Sequence, residues 1–426
     1  MATIAAYTGP SAGHVMPMVG VLVALRARGH RIRLRTTRAM LPRMRALGFQ
    51  VDAIDPRIER LELDDWHARS IRDDLHSIMS TFLQRGALEG PDLRGLLEEA
   101  RPDLVITDIN CWGAAAVAEA SGLPWAACAP YAPFLRSGGL PPYGPGFRPG
   151  AGPIGRAGQA LFDRLVLRPA EARALAERNA LRASVAGLPP AATNDDLVRS
   201  APLTLVASAE PLEYRHSDWD PDLRLVGDVA WEPDDPMPRA LRGIEGPIVL
   251  VTTSSELQLD DQIVRTALEA LAGEPVTVVA TMPAGVDPRI RAPSNAHVVE
   301  FAPHGPLLDR AVCAITYGGT GVTVKALGRG VPVVVVPWGR DQFEVAARVE
   351  HARAGVRVRR DRLSPTQLRD AVRRARGMRE GALAVAEGLR AAGGAERAAE
   401  LVEALLGRRD GGDDVDRDAA AGGRSR

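Results

Sequence analysis

The stretch "AITYGGTGVTVKALGRGVPVVVVPWGRDQ", residues 314–342, decides the fold. An apolar run enters a turn at Tyr317-Gly318-Gly319-Thr320-Gly321. A helical segment follows, with glycines at its far end. Val331 to Pro337 is then continuously apolar, which reads as a strand buried on both faces. Strand, glycine turn, helix and a second buried strand make a parallel crossover unit. Lys325, the only lysine of the chain, sits in the middle of its helix.

Working outward, the same alternation continues in both directions. "PIVLVTTSS" (247–255), "PVTVVAT" (275–281), "HVVEFAP" (297–303), "AVCAIT" (311–316) and "GVRV" (355–358) read as strands, with a helix from Asp261 to Ala272. The first half repeats the pattern. "TIAAYT" (3–8), "HRIRLRTT" (30–37), "PDLVITD" (102–108), "LPWAACAP" (123–130) and "LTLVAS" (203–208) are strands. "MVGVLVALRARG" (18–29), "GAAAVAEASG" (113–122) and a long run from Ala157 to Val185 are helices. "LPPYGPGFRPGAGP" (140–153) is a loop, and "WEPDDPMP" (231–238) is the best linker.

The expected fold class is therefore α/β, as two doubly wound domains facing one cleft. Residues 1–225 form the first domain and 226–238 the linker. Residues 239–380 form the second, 381–407 a helix returning to the first domain, and 408–426 a disordered tail. Ligands of such domains bind at the carboxyl ends of the strands.

With 426 residues the chain is too long for one ordinary domain, and 46% hydrophobic with 25% charged residues is globular composition. Zero formal charge argues against nucleic acid or an anionic membrane as a bulk partner. Cys111, Cys128 and Cys313 lack ligand spacing and read as reduced, buried thiols of a cytoplasmic protein. The longest apolar run is too short to span a bilayer. The acidic pairs Asp64-Asp65, Asp73-Asp74, Asp195-Asp196 and Asp260-Asp261 read as surface or helix starts. No metal site is expected.

Three readings of the Gly-Gly turn stand side by side. It is a tight turn needing positive φ, a dinucleotide site, or an anion site at a helix N-terminus. The dinucleotide fingerprint lacks its third glycine, where Val324 stands, although Asp341 lies near the ribose-binding offset. The ordered set "FAPHGPLL" (301–308), "YGGTGVTVKALGRGVP" (317–332) and "PWGRDQFEVAARV" (337–349) resembles the donor signature of family-1 glycosyltransferases. These are nucleotide-sugar enzymes with two facing Rossmann-like domains. "GHVMPMVGVLVALRARGH" (13–30) and "PDLVITD" extend the resemblance over most of the chain.

The resemblance implies inverting, metal-independent transfer of a sugar, a deoxysugar by the closest likeness, from a dTDP- or UDP-sugar. The acceptor would be a hydroxyl of a hydrophobic natural product in antibiotic biosynthesis. His14 is then the general base and Asp108 its partner. The donor is held by Thr253, Ser254, Phe301, Ala302, His304, Tyr317, Gly318, Gly319, Thr320, Gly321, Lys325, Asp341 and Gln342. Phe301 would stack on the base, the Ala302 backbone would read its edge, and Asp341 and Gln342 would meet sugar hydroxyls. Trp66, Phe82, Trp112, Phe134 and Tyr143 are the acceptor candidates. No cofactor beyond the nucleotide sugar is implied, and a homodimer is left open.

The sequence also departs from the family pattern. Tyr317 stands at the family's His, Lys325 at its ribose-gripping Glu, Val322 at a small hydroxyl residue and Val345 at an Asn. Lys325 cannot accept from a ribose and is instead expected to approach the diphosphate. A nucleotide-sugar epimerase, a lipid or cell-wall glycosyltransferase and a non-catalytic homologue are the competing classes.

Overall fold

A computed structural model describes residues 1–64, 71–150, 152–256 and 258–421, with side chains described for all of these but 71–75 and 408–421. Two parallel sheets organise it. The first has seven strands: β1 (Thr3–Tyr7), β2 (Arg31–Thr36), β3 (Gln50–Ala53), β4 (Leu104–Asp108), β5 (Trp125–Ala129), β6 (Thr204–Val206) and β7 (Leu223–Leu225). Their order is β3-β2-β1-β4-β5-β6-β7. The second has β8 (Ile248–Thr252), β9 (Thr277–Thr281), β10 (Ala296–Val299), β11 (Ala311–Thr316), β12 (Val333–Val335) and β13 (Gly355–Arg357), ordered β10-β9-β8-β11-β12-β13. This is the expected two-domain α/β architecture.

Each sheet reverses its winding once, between β1 and β4 and between β8 and β11. The crevice at such a reversal collects ligands, because the flanking helices leave on opposite faces. The β1–β4 register sets Tyr7 beside Thr107, so the next residues of both strands emerge together.

Helices cover both faces of each sheet, which is why the strands are apolar throughout. Ile4, Leu34 and Ile106 pack under the helix Ala12–Ala27. Val105 and Trp125 face the other way, toward Leu93, Leu96 and Val117. Gly20 has a packing reason: a Cβ there would lie 1.8 Å from the Val229 carbonyl, so only glycine lets the linker cross this helix.

The run expected as one helix from Ala157 to Val185 is interrupted. Pro153–Phe162 and Arg168–Ala186 are α-helical, joined by a wider turn over Asp163–Leu167. The C-terminal segment is two helices, Arg379–Ala391 and Gly394–Ala421. Ala398, Ala399 and Val402 join the core under the first sheet, and Glu403 receives Arg28 at 2.7 Å and His30 at 2.9 Å. The last helix runs to Ala421, into the stretch expected to be disordered. Gly, Asp and Arg there offer no apolar stripe, but backbone hydrogen bonds alone continue the helix.

The two sheets are also tied by a buried ion cluster. Arg348, on the helix Gln342–His351, donates to Glu213 at 2.9 Å and to Glu344 at 2.7 Å. Glu344 in turn accepts from the amides of Gly144 and Gly146, both at 2.8 Å, holding the Pro/Gly-rich loop against the second domain.

Candidate active site

His14 lies in the first turn of the helix Ala12–Ala27, just past β1, and Asp108 closes β4. Their side chains meet: His14 Nδ1 is 2.7 Å from Asp108 Oδ2. Asp108 is 1% exposed and His14 17%, so the carboxylate is sealed behind a ring whose other edge reaches solvent. An Nδ1–H donating to the carboxylate leaves Nε2 as the accepting nitrogen.

Neighbours hold this arrangement. The Asn110 amide N–H bonds the second Asp108 oxygen at 2.8 Å. Tyr131 donates its hydroxyl to Asn110 Oδ1 at 2.7 Å, which turns the Asn110 amide nitrogen toward His14 Nε2 at 3.4 Å. Asn110 and Tyr131 were not singled out from sequence. The only available signal for Asn110 was its place two residues past Asp108.

Burial is the largest influence on the His14 ring and works to lower its pKa. The charge and hydrogen bond of Asp108, joined by Glu256 and Asp341, outweigh it and hold the pKa above the ordinary 6.5. Glu256 and Asp341 belong to the second domain, so the second domain's field already acts on His14. Glu256 accepts from Ser11 and from Arg340, bridging the cleft directly.

The Gly-Gly loop faces the same cleft. Gly318 sits at φ +99°, in the left-handed region, and a Cβ there would meet Gln342 at 2.9 Å. Both the tight-turn reading and the anion-site reading are thus compatible with its geometry. The helix Thr320–Leu327 starts immediately after, and its first amides have no partner within the helix. A Cβ on Gly321 would meet nothing within 4 Å, so space lies open there. The Tyr317 ring folds back over its own loop: a Cβ on Gly319 would lie 2.2 Å from its hydroxyl. Burial raises the Tyr317 pKa, so the phenol is a neutral donor.

The remaining donor candidates divide. Phe301 is 46% exposed and lies outside the core, whereas Ala302 is buried. Thr320 donates to Asp341 at 3.1 Å, joining the loop to the end of the next crossover. Burial pushes the His304 pKa down to about 4, helped by the Lys325 charge, and its ring meets the Thr281 hydroxyl at 3.0 Å. Thr253 and Ser254 follow β8 and are buried. The Thr253 amide bonds the Thr281 carbonyl at 3.1 Å, and Ser254 Oγ accepts from the Glu256 amide and from Gln258.

Two expectations are corrected. Gln342 is 2% exposed, accepts from the amides of Trp338 and Gly339 and donates to Gln258 at 2.6 Å. It braces the loop from below rather than presenting to a sugar. Lys325 points to the linker: its Nζ is 2.9 Å from Glu232 Oε1. Glu232 also accepts from the amides of His304 (2.9 Å) and Gly305 (3.1 Å), so a carboxylate from the linker caps the helix His304–Leu308.

The acceptor candidates do not form one wall. Phe82 packs edge-on against Trp112 at 5.2 Å, and Phe134 pairs with Tyr143 at 4.3 Å. Tyr143 lines a small space between the domains with Tyr131, Thr320 and Arg348. Trp66 lies outside the described residues. Among the described residues, no group of three His, Cys, Asp or Glu side chains is placed to hold a metal, and no helix is long and apolar enough to cross a membrane.

Known proteins share this organisation. Residues 265–405 match the family described as "Erythromycin biosynthesis protein CIII-like, C-terminal domain". The 4'-demethylrebeccamycin synthase of Lentzea aerocolonigenes is 32% identical over 387 residues, covering 86% of this chain and 90% of that protein. The solved structure of the glycotransferase of kitacinnamycin superposes with a TM-score of 0.71 at 24% identity, over 95% of this chain and 99% of its own. The glycosyltransferase VinC in complex with dTDP gives 0.66 at 21% identity, over 95% and 100%.

Proposed function

Because the chain belongs to the family-1, two-Rossmann-domain glycosyltransferases that use nucleotide sugars, we propose that it moves a sugar from a dTDP- or UDP-sugar to a natural-product hydroxyl, with inversion and without a metal. The observation that carries this reading is the His14–Asp108 pair, 2.7 Å apart and facing the Gly-Gly loop of the other domain.

The chemistry follows from the geometry. The acceptor hydroxyl displaces the Asn110 amide from Nε2 and gives its proton to His14. Its oxygen forms the new bond at the anomeric carbon as the bond to the diphosphate oxygen breaks. Asp108 stabilises the imidazolium that results. The leaving diphosphate gathers charge at the free amides of the helix Thr320–Leu327, whose dipole favours an anion. Phe301 supplies a stacking surface for the base, and Asp341 accepts from the sugar.

A dTDP donor suits this site better than UDP. The position that grips the 2′-hydroxyl in the resembling family is the cation Lys325, and deoxyribose has no 2′-hydroxyl to grip. The solved neighbour with dTDP bound agrees with this choice of nucleotide. Calorimetric titration with dTDP and UDP, a chelator being present, tests the reading. Binding of dTDP ahead of UDP is expected. Binding of neither, or only after Mg²⁺ is restored, would sink it.

A further inference from the structure

The end of β4 serves two sides. Side chains alternate along a strand, so Asp108 and Asn110 reach His14 while Thr107 and Ile109 face the other way. There they line a recess with about 510 Å³ of space, part of it open to solvent. Its walls come from β5 and from the helices Trp112–Ala120, Arg168–Ala186 and Asn194–Val198, and Trp125, Leu181 and Leu197 make much of it apolar.

Three polar groups in this recess are left unsatisfied. The Arg178 guanidinium lies over the Trp112 ring, 4.5 Å from its centroid, and forms no ion pair or hydrogen bond with a described residue. Arg182 commits both terminal nitrogens to Glu119, at 2.6 and 2.8 Å, and its Nε is buried without a partner. The Thr107 hydroxyl is fully buried and also has none. Two guanidinium groups thus share one carboxylate, leaving one positive charge uncompensated. Burial, and then the charge of Arg182, bring the Arg178 pKa down to about 10, so it stays cationic at neutral pH.

A cation held on an indole face gains some attraction, but a desolvated charge without a counter-ion is a standing cost. A buried hydroxyl without a partner adds to it. Both are relieved by an anion entering the recess. We propose that this recess binds a monocarboxylate with an aromatic or other apolar body, its two oxygens gripped by Arg178 and Thr107. The single free charge matches a carboxylate rather than a phosphate dianion, and the planar fork of Arg178 fits it with two parallel bonds. The apolar walls take the body. The inference does not depend on the sugar-transfer reading. The carboxylate belongs either to the acceptor itself or to a separate small molecule, and the chemistry of recognition is the same.

The probes are 1-naphthoate, the isosteric neutral 1-naphthamide, and inorganic phosphate. Each is titrated by calorimetry against the full chain and against Arg178→Met, Arg178→Lys and Thr107→Val. Circular dichroism and melting curves report whether each variant is folded. Naphthoate is expected to bind at least tenfold more tightly than naphthamide or phosphate. Arg178→Met should abolish that preference, Arg178→Lys should keep only part of it, and Thr107→Val should weaken naphthoate a few-fold. Should Arg178→Met not fold, Arg178→Lys and Thr107→Val decide. Equal affinity for acid and amide, absence of naphthoate binding, or a full preference surviving in the folded Arg178 variants overturns the proposal. In a transfer assay with a neutral alcohol, naphthoate competing with the alcohol assigns the site to the acceptor's own acid end. An unchanged KM for the alcohol assigns it to a second ligand.

Discussion

Lys325 Nζ lies 2.9 Å from Glu232 Oε1, so the chain's only lysine is engaged by the linker between the domains. Burial works to raise the Glu232 pKa, but the Lys325 bond and charge and the amides of His304 and Gly305 bring it below the ordinary carboxylate value. The carboxylate therefore stays ionised at the start of a helix flanked by Phe301 and His304. Any influence of Lys325 on nucleotide binding runs through this carboxylate.

A double-mutant cycle reads that dependence directly. Lys325→Met alone should weaken dTDP binding by about 1–3 kcal/mol, the range of a charged hydrogen bond. In a Glu232→Gln background the same change should cost under about 0.5 kcal/mol, because the group it acted on is already neutral. Calorimetry on the four proteins gives the coupling. An equal loss in both backgrounds would mean that Lys325 contacts the diphosphate itself.

The Lys325–Glu232 pair also marks what local sequence carries and what it does not. Both sheets are legible because strands such as Val333–Val335 and Leu104–Asp108 are apolar on both faces, and only a doubly covered parallel sheet needs that. His14 and Asp108 are legible as strand-end residues of one sheet, since the topology forces them into one crevice. The partner of Lys325 is 93 residues away on an irregular segment, where no periodicity announces direction. The same holds for Glu256, which reaches Ser11 across the cleft, and for Arg348, which finds Glu213 on the other domain. Such contacts follow from how the domains dock, and that is set by surfaces rather than by spacing. Gln342 was misread for a related reason: a polar residue after an apolar strand looks presented to solvent, yet here it braces the backbone of the turn before it.

Glu89 gives a prediction about stability and pH. It is buried behind the catalytic pair and accepts from the Gly113 amide at 3.0 Å. Burial lifts its pKa from 4.5 to about 8, against the opposing pull of the Gly113 and Ala114 amides. The folded protein thus keeps a proton that the unfolded chain releases. Stability from this group is complete below pH 4.5 and declines as pH rises toward 8. Gln keeps the acceptor and cannot ionise. Glu89→Gln should match wild type in urea midpoint near pH 5 and exceed it at pH 8, by on the order of 1–4 kcal/mol. Parallel decline of the two proteins between those values would show that Glu89 is ionised in the fold.

The last prediction concerns the base. His14 must be neutral to accept a proton, and its pKa is held above 6.5, against burial, chiefly by Asp108. With an alcohol acceptor, kcat/KM should therefore fall as pH drops through a value above 6.5. Asp108→Asn removes the charge that opposes burial, so the acid limb should move to lower pH. The same variant should lose rate, because nothing then fixes the accepting nitrogen toward the substrate or stabilises the imidazolium. His14→Ala should lose roughly 10²–10⁴-fold in turnover with dTDP affinity nearly unchanged, since the nucleotide belongs to the other domain. Single-turnover transfer across pH 5.5 to about 9, with calorimetry alongside, separates these effects. The acceptor must be an alcohol, because an acidic phenol or thiol is already deprotonated and can attack without a base. If His14→Ala transfers at the wild-type rate, the base is another group. If Asp108→Asn slows transfer without moving the acid limb, Asp108 orients the ring but does not set its charge.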